Sequence, residues 1–326
     1  MYSLTIEITQ KCPNNCLFCS SSSNHLSNLE IPGNLVLDFA RQAVDFGVHE
    51  IALSGGEPLC HVDFNKILDG LSRLSIRPAV YTCGQIFGSQ ENICSHTSWE
   101  NIKVGTRLIF NLQSSNKLIH DHLVGMPGAF ERTWESLVAA KNFGHLTEVH
   151  IVPTKINIDT IFTTVLELSK IGVSQISFLR LVPQGRGKEN IQNLDLGKEG
   201  EVLLAKIFHE ISSFPKGKTK IRFGKPFGSI RNEFTRCNAG DGKLLVKYDG
   251  SILPCEAFKD ETFSDLILGN INNSSFNEMA NAGKNNAPLN RIRSFAKIEE
   301  TCPAQFFYQK CLNFGVSKNG EDQIEN

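Results

Sequence analysis

Three cysteines near the start of the chain have the spacing of iron–sulfur ligands. They are Cys12, Cys16 and Cys19, in the pattern C-x3-C-x2-C. Thiolates on one short loop can hold three corners of a cubane iron–sulfur cluster. No fourth cysteine lies close by in the sequence, so one iron would keep an open position. An open iron can bind a substrate or cofactor, which indicates chemistry rather than electron storage.

Two other interpretations of these cysteines stay open on spacing alone. A zinc site wants four ligands, so the fourth would come from a distant part of the chain. A disulfide cluster needs an oxidising compartment, and the N-terminal residues do not read as a signal peptide. We therefore expect a cytoplasmic protein, in which ten cysteines favour metal binding over disulfides.

The cysteine pattern resembles that of radical S-adenosylmethionine (radical SAM) enzymes, in which an aromatic residue precedes the third cysteine. Phe18 occupies that position. The resemblance implies a [4Fe–4S] cluster whose open iron chelates the amino and carboxylate groups of S-adenosylmethionine (SAM). It also implies that one electron cleaves SAM to methionine and a 5′-deoxyadenosyl radical, which takes hydrogen from a substrate. The cofactors carry that chemistry, and the protein positions and shields them.

The elements that would position the cysteine loop alternate between strand and helix patterns as far as about residue 215. Predicted strands span 4–8, 48–54, 76–82, 106–112, 147–153 and 173–182, and predicted helices span 35–47, 63–74, 130–143 and 158–171. This alternation predicts parallel βα units. The resemblance implies an α/β fold with a partial (β/α)6 TIM-like barrel over residues 1–222. In such barrels active groups lie at the C-terminal ends of strands, where the cysteine loop would stand.

The second predicted strand ends in the run Gly55-Gly56-Glu57-Pro58. Such a run makes a tight turn in any protein. Behind the cysteine pattern it resembles the GGEP motif of radical SAM enzymes, which binds the methionine amino group of SAM. The two glycines would allow close backbone approach, and Glu57 could accept a hydrogen bond from an ammonium group. All four residues are therefore predicted to bind SAM.

Residues 109–144 resemble the fourth-strand region of peptide-modifying members. Asn111 and Gln113 stand where those enzymes usually have Ser and Asp. The resemblance implies that Asn111 contacts SAM, and Gln113 lacks the carboxylate expected on the substrate side. His120 and Asp121 follow and read as residues that order a loop rather than as catalysts.

Arg180 lies within the apolar run of the sixth predicted strand, where a charge is costly unless it is paired. Its partner could be the SAM carboxylate, which arginine binds bidentately. The alternative is a salt bridge to a protein acid such as Glu7. Arg186, in the following turn, is a further candidate for contact with SAM or substrate.

A second cysteine group lies in residues 223–326. Cys237 and Cys255 flank a predicted hairpin centred on Asp249-Gly250, and Cys302 and Cys311 follow. The pattern C-x12-G-x4-C resembles the auxiliary-cluster domains called twitch and SPASM. A full SPASM domain has seven cysteines and two clusters, so four cysteines favour twitch with one auxiliary [4Fe–4S] cluster. Ligation by only one of the last two cysteines, or a structural zinc held by all four, stays open.

The other cysteines have no partner at ligand spacing and read as small buried residues. They are Cys60, Cys83 and Cys94. The net charge of −1 argues against a global nucleic-acid surface, and Lys216–Arg222 reads as a solvated loop. No apolar run reaches the length of a membrane span.

Three functions compete on these observations. The first is radical SAM modification of a ribosomally made peptide, whose leader would be bound by a separate protein or not at all. The second is modification of a small molecule such as a nucleotide, aminoglycoside or pterin. Both need a reductant such as flavodoxin or ferredoxin. The third is a non-catalytic iron–sulfur protein, which the open-site spacing and the GGEP run argue against. No single side chain is predicted as catalytic.

Overall fold

The fold is built around one ten-stranded, mostly parallel sheet. The computed structural model describes residues 2–76, 78–85, 102–215, 217–224, 227 and 237–298. The strands are β1 (Ser3–Thr9), β2 (Glu50–Gly55), β3 (Ala79–Thr82), β4 (Arg107–Asn111), β5 (Leu146–Ile151), β6 (Gln175–Phe178), β7 (Lys220–Phe223), β8 (Lys243–Val246), β9 (Ser251–Leu253) and β10 (Gly269–Asn270).

Helices separate most of the parallel strands. They are α1 (Gly33–Asp45), α2 (Phe64–Arg73), α3 (Lys117–Val124), α4 (Ala129–Asn142), α5 (Ile161–Ile171), α6 (Arg186–Glu189), α7 (Ile191–Leu194), α8 (Gly197–Ser213), α9 (Phe276–Asn285) and α10 (Ala287–Ile298). Short 3-10 helices span Pro58–Cys60, Ile158–Thr160, Glu256–Phe258 and Glu261–Leu266. None of the described helices is long and apolar enough to cross a bilayer.

Strands β1 to β7 lie side by side in chain order and all run parallel. Strand β8 pairs in parallel with the other edge of β1, and β9 and β10 extend that edge antiparallel. This topology confirms the predicted α/β class with successive βα units. The C-terminal hairpin continues the same sheet, so the proposed division at residue 222 stays a prediction.

The two faces of the sheet are packed differently. On the outer face, alternate strand residues such as Ile6, Leu53, Phe110 and Val149 pack with the helices into one buried core. The intervening residues point to the opposite side, which we call the inner face. The Tyr81 and His150 rings, from β3 and β5, meet there with centroids 5.3 Å apart although β4 lies between their strands. Contact between non-neighbouring strands indicates that the inner face is concave.

Three predicted elements differ from the structure. The sixth strand ends at Phe178 rather than at residue 182, so Arg180 lies in the loop beyond it. The stretch expected as a solvated loop over 216–222 contains most of β7. The region of His120 forms helix α3, whose start is capped by the Asn116 side chain and whose end is the left-handed Gly125.

Candidate functional site

The three N-terminal cysteines lie on the loop that follows β1, at the C-terminal edge of the parallel strands. Cys12 and Cys16 are buried and Cys19 is half-buried, and all three are free thiols. Burial raises the pKa of the Cys16 thiol well above its ordinary value, and the neighbouring Cys12 and Cys19 raise it further. Three neighbouring thiols, two of them buried, gain from a ligand that neutralises their thiolates, as iron does.

Neighbouring elements hold the cysteine loop in place. The backbone N–H groups of Asn15 and Leu17 donate to carbonyls at the end of α3, at 3.0 and 2.9 Å. Arg186 donates from Nε to the Cys16 carbonyl and from Nη2 to the Ser23 carbonyl, both at 2.8 Å. The Arg186 guanidinium, suggested above as a contact to SAM or substrate, therefore clamps the backbone of the loop.

The two glycines after β2 pack directly against the start of the cysteine loop. A Cβ on Gly55 would collide with the Thr9 carbonyl oxygen, and one on Gly56 with the Lys11 carbonyl oxygen. Gly56 N donates to the Thr9 carbonyl and Glu57 N to the Lys11 carbonyl, both at 2.7 Å. Both positions therefore need glycine because the backbone of the GGEP turn hydrogen-bonds to the cysteine loop at a distance that leaves no room for a Cβ.

The Glu57 carboxylate is fully buried and accepts three hydrogen bonds from protein groups. The donors are Leu59 N at 3.2 Å, Thr82 Oγ1 at 3.1 Å and Cys83 N at 2.6 Å. Burial raises the pKa of the carboxyl, against the effect of these hydrogen bonds. Glu57 therefore joins the end of β2 to the end of β3. That Glu57 contacts the SAM ammonium stays a prediction, and so does SAM binding by the buried Pro58.

Asn111, at the end of β4, faces the cysteine loop. Its Nδ2 lies 3.9 Å from the Cys16 Sγ, and its Oδ1 accepts a hydrogen bond from Gln113 Nε2. The Gln113 amide is itself fixed, since its Oε1 accepts from Val152 N at 2.9 Å and its Nε2 also donates to the His150 carbonyl at 3.3 Å. The Asn–Gln pair thus orients one amide toward a cysteine of the loop, next to any cofactor bound there.

Arg180 forms an ion pair with Glu201 at the start of α8, with 3.0 Å between Nη2 and Oε1. The side chains of the pair are 19% and 44% exposed, so the charge of Arg180 is compensated at the protein surface. Arg180 thus forms a salt bridge to a protein acid, the alternative to SAM binding, and the acid is Glu201 rather than Glu7. Binding of the SAM carboxylate by Arg180 remains a prediction.

A mononuclear site does not fit the donors. Across the described ranges, no three His, Cys, Asp or Glu side chains converge closely enough to hold a single metal ion. Cys12, Cys16 and Cys19 nevertheless share one loop and one buried environment. All three donors are thiols on one loop, and thiolates are the ligands that iron–sulfur clusters take. The residues present therefore fit an iron–sulfur cluster.

The inner face carries a buried polar group centred on Glu148 of β5. Its Oε1 accepts hydrogen bonds from His150 Nε2 at 2.8 Å, Gln175 Nε2 at 2.7 Å and Ser177 Oγ at 2.6 Å. Burial raises the pKa of Glu148, but the hydrogen bonds outweigh it and hold it at about 2. The carboxylate is ionised and cannot donate, so His150 Nε2 carries the proton.

The Nδ1 nitrogen of His150 therefore carries no proton and can accept a hydrogen bond. Its Nδ1 is buried and has no partner in the part of the chain that the structure describes. Burial lowers the pKa of His150, so the ring is neutral near pH 7. The strand register places His150 beside Asn111, the residue that faces Cys16. No sequence motif marks this pair. Period-two alternation in Glu148-Val149-His150 was the available signal, since it puts two polar side chains on one face.

A second polar group lies where β8 closes against β1. Lys243 Nζ and Glu256 Oε2 are 2.5 Å apart, and Thr5 Oγ1 donates to Glu256 Oε1 at 2.9 Å. Burial opposes both charges, but the pairing dominates and holds the pKa of Glu256 at about 2. Burial raises the pKa of Tyr81, across the inner face, to about 12, so Tyr81 keeps its proton. The inner face thus carries buried, hydrogen-bonded polar groups beside a small apolar cluster of Ala52, Ala79 and Ile109.

The C-terminal hairpin brings two of its cysteines onto one small apolar cluster. Cys237 and Cys255 are half-buried and pack on Ala239 and Phe258. Gly240 N donates to the Pro254 carbonyl at 3.0 Å, which joins the two cysteine segments. The hairpin forms as predicted, from β8 and β9 with Gly250 in the left-handed region. Cys302 and Cys311 lie outside the described residues, so four-cysteine ligation stays a prediction.

The remaining cysteines and the pair His120 and Asp121 are the last predicted residues to place in the structure. Cys83 is a buried free thiol, and Cys94 lies outside the described residues. Cys60 is buried as predicted, but it is disulfide-bonded, so the prediction that it has no partner is wrong. His120 Nδ1 accepts from Gln113 N at 3.1 Å. Asp121 accepts from Gly128 N and Phe130 N at the start of α4, at 2.6 and 2.8 Å. These contacts agree with ordering roles rather than catalysis.

Comparison with protein families gives two matches. Residues 6–168, half of the chain, match the radical SAM superfamily. Residues 237–311 match SPASM, an iron–sulfur cluster-binding domain. The first match contains the N-terminal cysteine loop and the GGEP turn, and the second contains the four C-terminal cysteines. The radical SAM family uses a [4Fe–4S] cluster and SAM, and a SPASM domain holds auxiliary iron–sulfur clusters.

Curated relatives act on different kinds of substrate. The AdoMet-dependent heme synthase of Methanosarcina barkeri is 25% identical over 84% of this chain and 80% of its own length. The subtilosin biosynthesis protein AlbA of Bacillus subtilis is 24% identical over 85% of this chain and 59% of its own length. A probable GTP 3′,8-cyclase of Saccharolobus islandicus is 25% identical over 81% of this chain and 85% of its own.

A solved structure supports the fold. SuiB of Streptococcus suis, bound to SAM, superposes with a TM-score of 0.70 and 18% identity over 90% of this chain and 68% of SuiB. SuiB bound to its precursor peptide SuiA gives a TM-score of 0.69. At this level of identity the likeness supports the partial TIM-like barrel and no more.

Proposed function

Because the chain belongs to the radical SAM superfamily and carries a SPASM iron–sulfur domain, we propose that it cleaves SAM reductively to modify a ribosomally made peptide. The chain is an enzyme of that superfamily, and the peptide is the new part of the proposal. The observation that carries it is the loop of three free thiols, two of them buried, in which Cys16 faces Asn111 at the edge of the barrel interior.

Cys12, Cys16 and Cys19 would hold the SAM-binding cluster. When bound, the cluster and SAM supply a 5′-deoxyadenosyl radical that takes hydrogen from the substrate. The chain's own residues fix the loop: Arg186 clamps its carbonyls, and the backbone of the GGEP turn hydrogen-bonds to its first residues. Gly55, Gly56, Glu57, Pro58, Asn111 and Arg180 remain proposed SAM contacts, and Asn111 has the most direct support because its amide faces Cys16.

The polar inner face would receive the substrate. His150 Nδ1 is an unpartnered acceptor among the described residues, held by Glu148 and lying one strand from Asn111. A buried acceptor without a partner is costly, and a substrate N–H or O–H would satisfy it. Peptide amides supply such donors at every residue.

Two names among the related proteins support a peptide substrate. AlbA is named for biosynthesis of the bacteriocin subtilosin, and SuiB has been solved with a precursor peptide. The run from Asn111 to the start of α4 also resembles peptide-modifying members. A separate protein would present the peptide, and a flavodoxin or ferredoxin would supply the electron.

A small-molecule substrate is the second candidate. The sequence similarity to heme synthase and to GTP 3′,8-cyclase extends over 80% and 85% of those proteins, against 59% of AlbA. The same polar inner face would suit a nucleotide, aminoglycoside or pterin, whose hydroxyl and amine groups also donate hydrogen bonds.

The experiment is 5′-deoxyadenosine formation by anaerobically reconstituted protein with dithionite, SAM and size-fractionated host extract, with and without protease treatment. Stimulation by a protease-sensitive fraction supports the peptide. Stimulation by a protease-resistant low-mass fraction refutes it in favour of the small molecule. The Cys255→Ala variant should keep SAM cleavage yet yield no modified product, and full turnover by it would refute an essential auxiliary cluster.

A further inference from the structure

A lysine of the C-terminal module reaches into the N-terminal cysteine loop. Lys259 stands four residues after Cys255, and its side chain is only 8% exposed. Its Nζ lies 2.5 Å from Glu7 Oε1, 2.9 Å from Ser21 Oγ and 3.2 Å from Ser20 Oγ. Ser20 and Ser21 directly follow Cys19, so one cation contacts the segment that leaves the third cysteine.

Glu7 is the acid of this contact and is as deeply buried as the lysine. It lies on the inner face of β1, its side chain is 2% exposed, and Ser21 Oγ donates to its Oε1 at 2.8 Å. Its Oε2 is buried without a hydrogen-bond partner in the described chain. Burial lowers the pKa of Lys259, but Glu7 outweighs it and the pKa is raised, so Lys259 is charged. Removing one member would leave an uncompensated buried charge.

The backbone around Lys259 is tied to the turn that clamps the cysteine loop. Gln184 is fully buried. Its Oε1 accepts from Lys259 N and from Asp260 N, the latter at 2.8 Å, and its Nε2 donates to the Glu256 carbonyl at 3.0 Å. Two residues later, Arg186 holds the Cys16 carbonyl. One turn therefore fixes both the loop after Cys255 and the loop of Cys16.

We propose that Lys259 is a positioning residue that sets the reduction potential of the cluster at Cys12, Cys16 and Cys19. It neutralises Glu7 beside the cysteine loop and fixes Ser20 and Ser21. The potential of an iron–sulfur cluster depends on nearby net charge and on hydrogen bonds around its ligands. A correctly folded C-terminal module thus keeps the SAM-binding cluster reducible. This inference rests on the proposed cluster.

The test is a redox titration of the SAM-binding cluster, monitored by electron paramagnetic resonance, on anaerobically reconstituted full-length chain. Lys259→Met leaves the Glu7 carboxylate unpaired, and negative charge disfavours an added electron. We expect the reduction equilibrium to weaken at least tenfold, which is a downward shift of about 59 mV for a one-electron couple. Glu7→Gln should shift the potential upward, because the cation is then unopposed. The double variant should return close to the wild-type potential.

Lys188→Met is the matched control, because Lys188 lies in the same turn but its side chain is 60% exposed. It should leave the potential unchanged. Equal potentials in wild type, Lys259→Met and Glu7→Gln would overturn the inference, even with SAM cleavage intact. The inference would also be overturned if the potential of the double variant were no closer to the wild-type value than that of Lys259→Met. If Lys259→Met fails to fold, the upward shift in Glu7→Gln decides alone. A wild-type chain that takes up no cluster would instead refute the proposed function.

Discussion

Arg186 offers the sharpest test of how the cysteine loop is held. Its guanidinium makes two hydrogen bonds of 2.8 Å, to the carbonyls of Cys16 and Ser23. A hydrogen bond from a charged donor contributes about 1.5 kcal/mol at the lower end, which suits a half-buried arginine. Arg186→Gln should therefore remove about 3 kcal/mol from the restraint on the loop. That is roughly a hundredfold change in the equilibrium between the held and released loop.

The assay is loss of the SAM-responsive cluster to a chelator after anaerobic reconstitution. A loop that opens more often should release its cluster at least tenfold faster in Arg186→Gln than in wild type. Arg186→Lys should resemble Gln, because an ammonium cannot reach both carbonyls in the fork geometry of a guanidinium. Arg41→Gln is the matched control, since Arg41 is 58% exposed and pairs with Asp38 on α1. Wild-type release rates in Arg186→Gln would refute the clamp.

Three further changes test the surroundings of the loop. Gly56→Ala should lower iron uptake, because its Cβ would collide with the Lys11 carbonyl, and wild-type iron content would contradict this. Burial holds the pKa of His120 at about 4, below its ordinary value of about 6.5. Between these two pH values the unfolded chain binds one proton more than the folded chain. The free energy of unfolding therefore rises with pH over this range. His120→Asn should therefore flatten the dependence of the unfolding free energy on pH between 4 and 6.5, by up to about 1.4 kcal/mol per pH unit, and an unchanged slope in denaturant titrations would count against it. His150→Phe should keep substrate-free SAM cleavage but lose stimulation by the active extract fraction, and retained stimulation would exclude His150 as a substrate contact.

The cysteine loop and the barrel strands were predictable because their signals are local. Cys12, Cys16 and Cys19 sit within eight residues, and the alternation in Leu4–Ile8 belongs to a strand whose outer face is buried. The hairpin around Gly250 was equally readable, because Asp-Gly supplies the positive φ that its turn requires. Local pattern and final structure agree at these points.

Contacts between distant segments were not predictable. Lys259 and Glu7 are separated by 252 residues, and no spacing rule connects them. The apolar neighbours of Arg180 predict a strand residue, but β6 ends at Phe178, and the arginine pairs with Glu201 on α8. The sequence does not predict helix α3, because residues such as its capping Asn116 and its terminal Gly125 also occur in ordinary loops. Tertiary contacts decided each case.

The inner face shows what pattern reading leaves out. Glu148 and His150 alternate with apolar residues, which predicts that they share a face but not that they meet. Their 2.8 Å contact lies within β5, but the hydrogen bonds from Gln175 and Ser177 to Glu148 depend on β6 pairing in register with β5. A polar barrel interior is therefore a property of the assembled sheet.

The central claim is that the loop of Cys12, Cys16 and Cys19 supports reductive cleavage of SAM. The most direct measurement is the yield of 5′-deoxyadenosine and methionine from anaerobically reconstituted chain with dithionite and SAM, compared with Cys16→Ala. We predict formation of both products by the wild-type chain and none above background by the variant. Equal yields from the two proteins, or no product from a wild-type chain that has taken up its cluster, would contradict the claim.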